Sequence, residues 1–191
     1  MKTKAIKFSS VLAIAVLVWS CGNNESTEAN HESGEHQHTE GEAASASTPS
    51  LIDPVVQHYI HLKNALVASN FDEAKAGAKA MVDAVNSADT SAFSAEQKAV
   101  WNEQVGKVKE NAEHIVETPE LAHQREHLGP LTDGMYALIK AFGGGKTLYY
   151  DFCPMANENK GGYWLSENED IKNPYFGDEM LQCGEVKETL K

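Results

Sequence analysis

The chain has 191 residues, 41% of them hydrophobic, with 16 Lys and Arg against 28 Asp and Glu and a formal net charge of −12. That length supports one ordinary domain with a real core. The charge argues against a nucleic-acid partner, because neutralising phosphates needs surplus Lys and Arg. No apolar run reaches the ~20 residues that a spanning helix requires, and three cysteines are too few for a disulfide-rich miniprotein.

Lys2, Lys4 and Lys7 form a basic region ahead of the apolar stretch Phe8–Trp19. Those twelve residues suit the core of a signal peptide and are too short to cross a bilayer. The stretch ends in Leu17-Val18-Trp19-Ser20-Cys21-Gly22, which resembles the lipobox of bacterial lipoproteins. The resemblance implies that residues 1–20 are a lipoprotein signal peptide and that Cys21 is acylated to become the first mature residue. Gly22 rather than Asp at the next position implies the outer membrane, with the protein facing the periplasm or the cell surface. Two or more acyl chains give stable attachment.

Residues 21–50 read as a tether. From residue 22 they hold six Glu, no Lys or Arg, and many small polar residues without periodicity, a composition that cannot bury a core. His31, His36 and His38 lie within it. They leave two readings open: a solvated spacer holding the domain off the membrane, or a weak metal-scavenging arm.

Residues 51–191 read as a helical domain. Asp53-Pro54 has the pattern of an N-cap with Pro at the first helical position, followed by the stripe Val55, Tyr59, Leu62 and Leu66, predicting a helix over 54–68. Asn70 with Glu73 has capping-box spacing ahead of Phe71, Ala74, Ala78, Met81 and Val85, predicting a helix over 71–88. Ser94 with Gln97 opens a third over 95–117 along Trp101, Val105, Val108, Ala112 and Ile115. Thr118-Pro119 opens a fourth over 119–142 along Leu121, Leu128, Leu131, Met135, Leu138 and Phe142, which Gly143-Gly144-Gly145 stops. Pro130 within it predicts a kink. Four amphipathic helices with short connections predict a mainly α fold, an antiparallel four-helix bundle.

The character changes over 147–191, which hold seven of the 15 aromatic residues. Leu148–Phe152 reads as a short strand and Asp178–Cys183 as a short helix. The segment is too small to fold alone, so an irregular, aromatic- and Cys/Met-containing piece must pack on the bundle. It pairs Cys153 with Met155 and Met180 with Cys183. Positions two apart in an extended chain, and three apart on a helix, share a face, so all four sulfurs can address one centre. Thiolate and thioether are soft donors that select Cu(I) over hard cations, and Met is a poor zinc ligand. A structural disulfide between Cys153 and Cys183, or plain core packing, remains open on the same residues.

His123 and His127 are four apart on one helix face, the spacing of helical metal pairs. His114 lies near the end of the preceding helix, so an antiparallel hairpin brings it to the same end. His127 and His114 are therefore candidate supplementary ligands for the sulfur site, whereas His58 and His61 read as surface residues.

The motifs His123-Gln124-Arg125-Glu126-His127, Cys153-Pro154-Met155-Ala156, Gly161-Gly162-Tyr163-Trp164-Leu165-Ser166, Asn173-Pro174-Tyr175-Phe176-Gly177 and Met180-Leu181…Cys183-Gly184 resemble a bacterial domain-of-unknown-function family over about residues 53–189. That family occurs as small lipoproteins and as the C-terminal module of periplasmic adaptors of heavy-metal efflux systems. The resemblance implies a helical domain in copper, silver or related metal handling, with components of a metal efflux complex as partners besides the membrane. Cys153-Pro154-Met155 is also similar to short heavy-metal-binding segments of efflux proteins, from which it departs at Ala156.

No enzyme pattern is present. Gly143-Gly144-Gly145-Lys146 lacks the spacing of a phosphate-binding loop, and no Cys-x-x-Cys supports a thioredoxin-like oxidoreductase. Two functions are expected: an envelope lipoprotein that binds Cu(I) in copper tolerance, efflux or delivery, or a disulfide-stapled interaction module that binds no metal.

Overall fold

A computed structural model describes residues 50–191. The signal segment 1–20, the lipidation site Cys21 and the tether, apart from Ser50, lie outside the described residues.

Helix α1 spans Asp53–Val67. Ile52, not Asp53, occupies its N-cap position, without a side-chain cap. Asp53 sits in the first turn, where the exposed N–H groups favour a carboxylate. Its stripe of Val55, Tyr59, Leu62 and Leu66 is buried as expected. Helix α2 (Phe71–Asn86) is capped by the Asn70 side chain, which accepts from the Glu73 N–H at 3.1 Å. The Glu73 carboxylate does not close the capping box and instead meets His61 Nε2 at 2.9 Å. Helix α3 (Ala95–Glu117) begins with the complete reciprocal box of Ser94 and Gln97.

Helix α4 runs from Leu121 to Phe142, starting two residues later than the sequence predicts and continuing through Pro130 as one element. Leu128 and Leu131, both fully buried, flank Pro130; burying such side chains contributes about 1.5–3 kcal/mol each. That offsets the roughly 3 kcal/mol cost of an internal proline, so the single helix expected across Pro130 forms. Consecutive helices pack on one another and α1 also meets α4. At Gly77 a Cβ would lie 2.8 Å from the backbone nitrogen of Leu62, so the lack of a side chain lets α2 approach α1 closely.

The C-terminal segment is more regular than expected. Strands β1 (Leu148–Cys153), β2 (Gly162–Ser166) and β3 (Glu185–Leu190) form an antiparallel sheet in the order β2-β1-β3. The short helix expected over 178–183 is absent. Gly177–Glu179 forms a single 3-10 turn, a reverse turn closed by the Cys183 N–H on the Met180 carbonyl follows at 3.0 Å, and the chain then extends into β3. Met180, at φ −146° and ψ 50°, lies outside the helical region and ends the turn there. Thus the protein is mainly helical with a small three-stranded sheet at its C-terminus.

The helices and the sheet are joined through Tyr59, which is fully buried. Its hydroxyl accepts the Leu165 N–H of β2 at 3.1 Å and lies 2.7 Å from Thr132 Oγ1 of α4. Since the oxygen accepts from Leu165, its own proton is free to donate to Thr132. Tyr59→Phe leaves the Leu165 N–H and the Thr132 hydroxyl buried without this partner. The expected loss is about 1–3 kcal/mol, read as a lower urea midpoint with an unchanged m-value.

Candidate functional site

Cys153 ends the central strand, opposite Gly162 of β2, and is fully buried. Its neighbour Phe152 pairs with Glu185 at the start of β3, so the residues just before β3 arrive beside Cys153. Asn173, also fully buried, fixes that approach. Its N–H donates to the Leu181 carbonyl at 2.8 Å and its side-chain amide to the Cys183 carbonyl at 2.7 Å, while its Oδ1 accepts the Tyr175 N–H at 2.8 Å. Held this way, the half-buried Cys183 brings its Sγ to 2.9 Å from the Sγ of Cys153, with both cysteines unbonded. The contact with Cys153, and then burial, push the Cys183 thiol up.

The two methionines are less constrained. Met155 is 46% exposed, two residues beyond Cys153, and Met180 is half-buried at the start of the turn that carries Cys183. Behind Met155 the chain makes a left-handed turn through Asn157, Glu158 and Asn159, at φ of 52°, 58° and 65°. Such backbone costs energy in non-glycine residues, and Asn tolerates it best. The Asn157 amide donates to the Gly161 carbonyl at 3.0 Å and supports the turn.

The Asn173–Gly177 loop is anchored by Arg125 of α4. Arg125 Nε donates to the Pro174 carbonyl at 2.9 Å, and its Nη2 donates to the Leu66 carbonyl at 3.2 Å and Ser69 Oγ at 3.0 Å. Arg125 therefore binds this loop, which leads into the turn carrying Cys183, to the end of α1. Its place between His123 and His127 did not reveal that role in the sequence.

The histidines gather elsewhere. His127 of α4 contacts Asn111 Oδ1 through Nδ1 at 3.0 Å and His123 Nε2 through Nε2 at 3.2 Å. The His114 ring lies 4.7 Å from the His127 ring, centroid to centroid. His114 and His127 thus meet His123 across α3 and α4, and both His127 ring nitrogens face that cluster rather than the thiols. Burial, then the neighbouring His114 and His123, lower the pKa of His127. Among the described residues no three His, Cys, Asp or Glu side chains are already closed into a metal-binding geometry.

A buried polar group missed by sequence reasoning lies at the junction of α1 and the sheet. Lys63 Nζ, fully buried, donates to Asn64 Oδ1 at 2.7 Å and reaches Glu167 Oε2 at 3.3 Å and Ser166 Oγ at 3.5 Å. Asp151, also fully buried in β1, has no well-formed hydrogen bond on either carboxylate oxygen; Trp164 Nε1, opposite it on β2, has no other partner and donates only weakly toward that carboxylate, pulling its pKa down against burial. Burial pushes the Asp151 carboxyl up to about 7, against the opposing pull of the Lys63 ammonium. The only hint in the sequence is an acid inside the apolar run Tyr149-Tyr150-Asp151-Phe152-Cys153.

This shift has a definite sign. An unfolded Asp titrates near 3.9, so between about pH 4 and 7 the native state holds a proton that the unfolded state has lost. Stability contributed by Asp151 is full below about pH 4 and falls as pH rises through 7, by up to about 1.4 kcal/mol per pH unit in that window. Asp151→Asn cannot ionise. Urea unfolding at pH 5 and pH 8 should show the variant gaining on the wild type at the higher pH; equal differences at both pH values contradict the assignment.

No curated protein and no solved structure matches the chain. A family match covers residues 55–147, from α1 to the residue before β1, and so includes Arg125 and the three histidines but neither Cys153 nor Cys183. The family is described as a protein of unknown function (DUF3347), and the helical part of this chain is similar to that domain.

Proposed function

We propose that this chain is a lipid-anchored protein of the cell envelope that binds Cu(I) at Cys153 and Cys183, in copper tolerance, efflux or delivery. It acts by binding rather than catalysis, with its four helices as an antiparallel up-down bundle carrying the sulfur centre. The observation behind this reading is the 2.9 Å approach of the two sulfurs, from residues 30 positions apart. Two thiolates bring two negative charges to offset a cation, which deprotonates them on binding.

Thiolates about 2.3 Å from one tetrahedral metal ion lie roughly 3.8 Å apart. The pair must therefore open by about 1 Å, a distance that fits movement of Cys183 on its reverse turn while Cys153 stays in the core. Met155 and Met180, each within three residues of a cysteine, add soft donors without further charge. His127 and His114 are left out of this centre, because they face His123 and Asn111 instead. The lipid anchor rests on the resemblance around Cys21, and the metal-efflux setting on the resemblance of the C-terminal motifs.

The same short separation favours a second reading. Loss of two electrons and two protons to an external oxidant such as dioxygen closes Cys153 and Cys183 into a disulfide, making the domain a stapled interaction module.

Thiol counting on protein purified with and without reductant, followed by titration against a chromophoric Cu(I) chelator, separates the two. On the metal reading Cys153→Ser abolishes tight Cu(I) binding, Met155→Leu weakens it and His58→Ala has no effect. On the disulfide reading air-purified protein has no free thiol in the described domain, Cu(I) does not bind, and reduction costs roughly 3–4 kcal/mol for a loop of this length. A reduced, folded domain that ignores Cu(I) would sink the metal reading. For the anchor, Cys21→Ser should release the protein from the membrane fraction or leave the signal uncleaved. A processed, membrane-bound variant contradicts it.

A further inference from the structure

Three imidazoles meet on the α3–α4 surface, away from any sulfur contact. His123 and His127 stack one turn apart, with ring centroids 5.0 Å apart, and His114 from the last turn of α3 stands edge-on to His127 at 4.7 Å. His114 and His123 also border an open hollow of about 240 Å³ with Glu117, Thr118 and Pro119.

The hydrogen bonds around Asn111 assign the tautomer of His127. Asn111 Nδ2 donates to the Lys107 carbonyl at 2.9 Å, which turns its Oδ1 toward His127 Nδ1 at 3.0 Å. An amide oxygen can only accept, so the His127 proton sits on Nδ1 and a lone pair on Nε2 points at His123. In metal sites this is the usual second partner of a ligating histidine: the far nitrogen donates to an oxygen that fixes the ring.

We propose that His114, His123 and His127 form a binding site for a borderline divalent first-row ion, with Zn²⁺ as its probe, distinct from the thiol centre. The spacing carries the argument. Two nitrogens each about 2.0–2.1 Å from one tetrahedral ion lie roughly 3.3 Å apart, and the Nε2 atoms of His123 and His127 stand 3.2 Å apart. One ion takes the place of the single proton these two atoms share; that proton belongs to His123 and relocates, through solvent, from its Nε2 to its Nδ1. The exposed His114 supplies the third nitrogen by turning its ring toward the pair, and a fourth position stays open to water. Imidazole suits Zn²⁺, Cu²⁺ and Ni²⁺ better than the hard cations. Glu126, whose carboxylate is 3.9 Å from His123 Nε2, adds negative charge beside the site. Asn111 is a positioning residue here, since it touches the ligand and not the ion.

The test is a Zn²⁺ titration of the full chain, followed by histidine-resolved NMR and by calorimetry. The ring signals of His114, His123 and His127 should move together and saturate at one equivalent, in the wild type and equally in Cys153→Ser/Cys183→Ser. His123→Ala and His127→Ala should each weaken this binding tenfold or more, and His58→Ala should leave it unchanged. Asn111→Leu should weaken it about 10–100-fold, whereas Asn111→Asp, which keeps the acceptor, should restore it. The proposal is overturned if Zn²⁺ moves only His31, His36 and His38, or if the His123 and His127 variants bind like the wild type. Loss of the response in the cysteine double variant overturns it as a separate site. Because the readout needs neither Cu(I) nor sulfur, failure of the thiol centre leaves this result intact, and the reverse holds.

Discussion

One buried phenolic oxygen ties three elements of this protein together. Tyr59 reaches from α1 into a fully buried junction, where it meets Thr132 of α4 and the backbone N–H of Leu165 in β2. The small three-stranded sheet packs on α1 and α4 through β2, and its place depends on such attachments. Leu165 is buried, and its N–H has no water to turn to; the Tyr59 oxygen satisfies it while the aromatic ring fills the core. Burial drives the Tyr59 pKa well up, which keeps the hydroxyl neutral and able to donate.

Around that junction the protein carries polar groups that a purely apolar core would avoid. Lys63 is held by Asn64 and Glu167, with Ser166 at the limit of contact, and Asn64 donates in turn to the same Glu167 carboxylate at 2.9 Å. Removing one partner from such a buried pair costs more than the pair contributes, so Lys63 and Glu167 specify how α1 meets the end of β2. Asp151 has no well-formed hydrogen bonds of that kind, only the weak approach of Trp164 Nε1. It is tolerated as a neutral acid, which makes this junction the part of the core that responds to pH.

The scaffolding of the two clusters differs in kind. Cys183 is placed by long-range restraints: Arg125 grips the Pro174 carbonyl, Asn173 clamps the Cys183 carbonyl, and the β1–β3 ladder aligns the end of the turn with Cys153. The histidines need only two adjacent helices and the one-turn spacing on α4. Soft sulfur and borderline imidazole favour different ions, and a chain of net charge −12 raises the local concentration of either.

How much of this was legible depends on the range of the interaction. By itself the sequence determined the four helices: their stripes are periodic, and Asn70 and Ser94 are caps whose partners lie three residues away. It also brought His114 to the same end of the α3–α4 pair as His123 and His127, because a short helical connection forces that proximity. The sequence also predicted one helix through Pro130, where the burial of Leu128 and Leu131 offsets the local penalty of the proline. The tertiary structure replaced the expected helix over 178–183 with a 3-10 turn and a reverse turn that lead into β3, whose backbone hydrogen bonds come from β1, more than 30 residues earlier, and whose exposed side chains carry no alternating pattern. It turned His127 away from the sulfurs toward Asn111, and it buried Lys63 and Asp151 against the sheet. Local propensity and capping are written in neighbouring residues, whereas desolvation and strand pairing depend on what the fold brings from far along the chain.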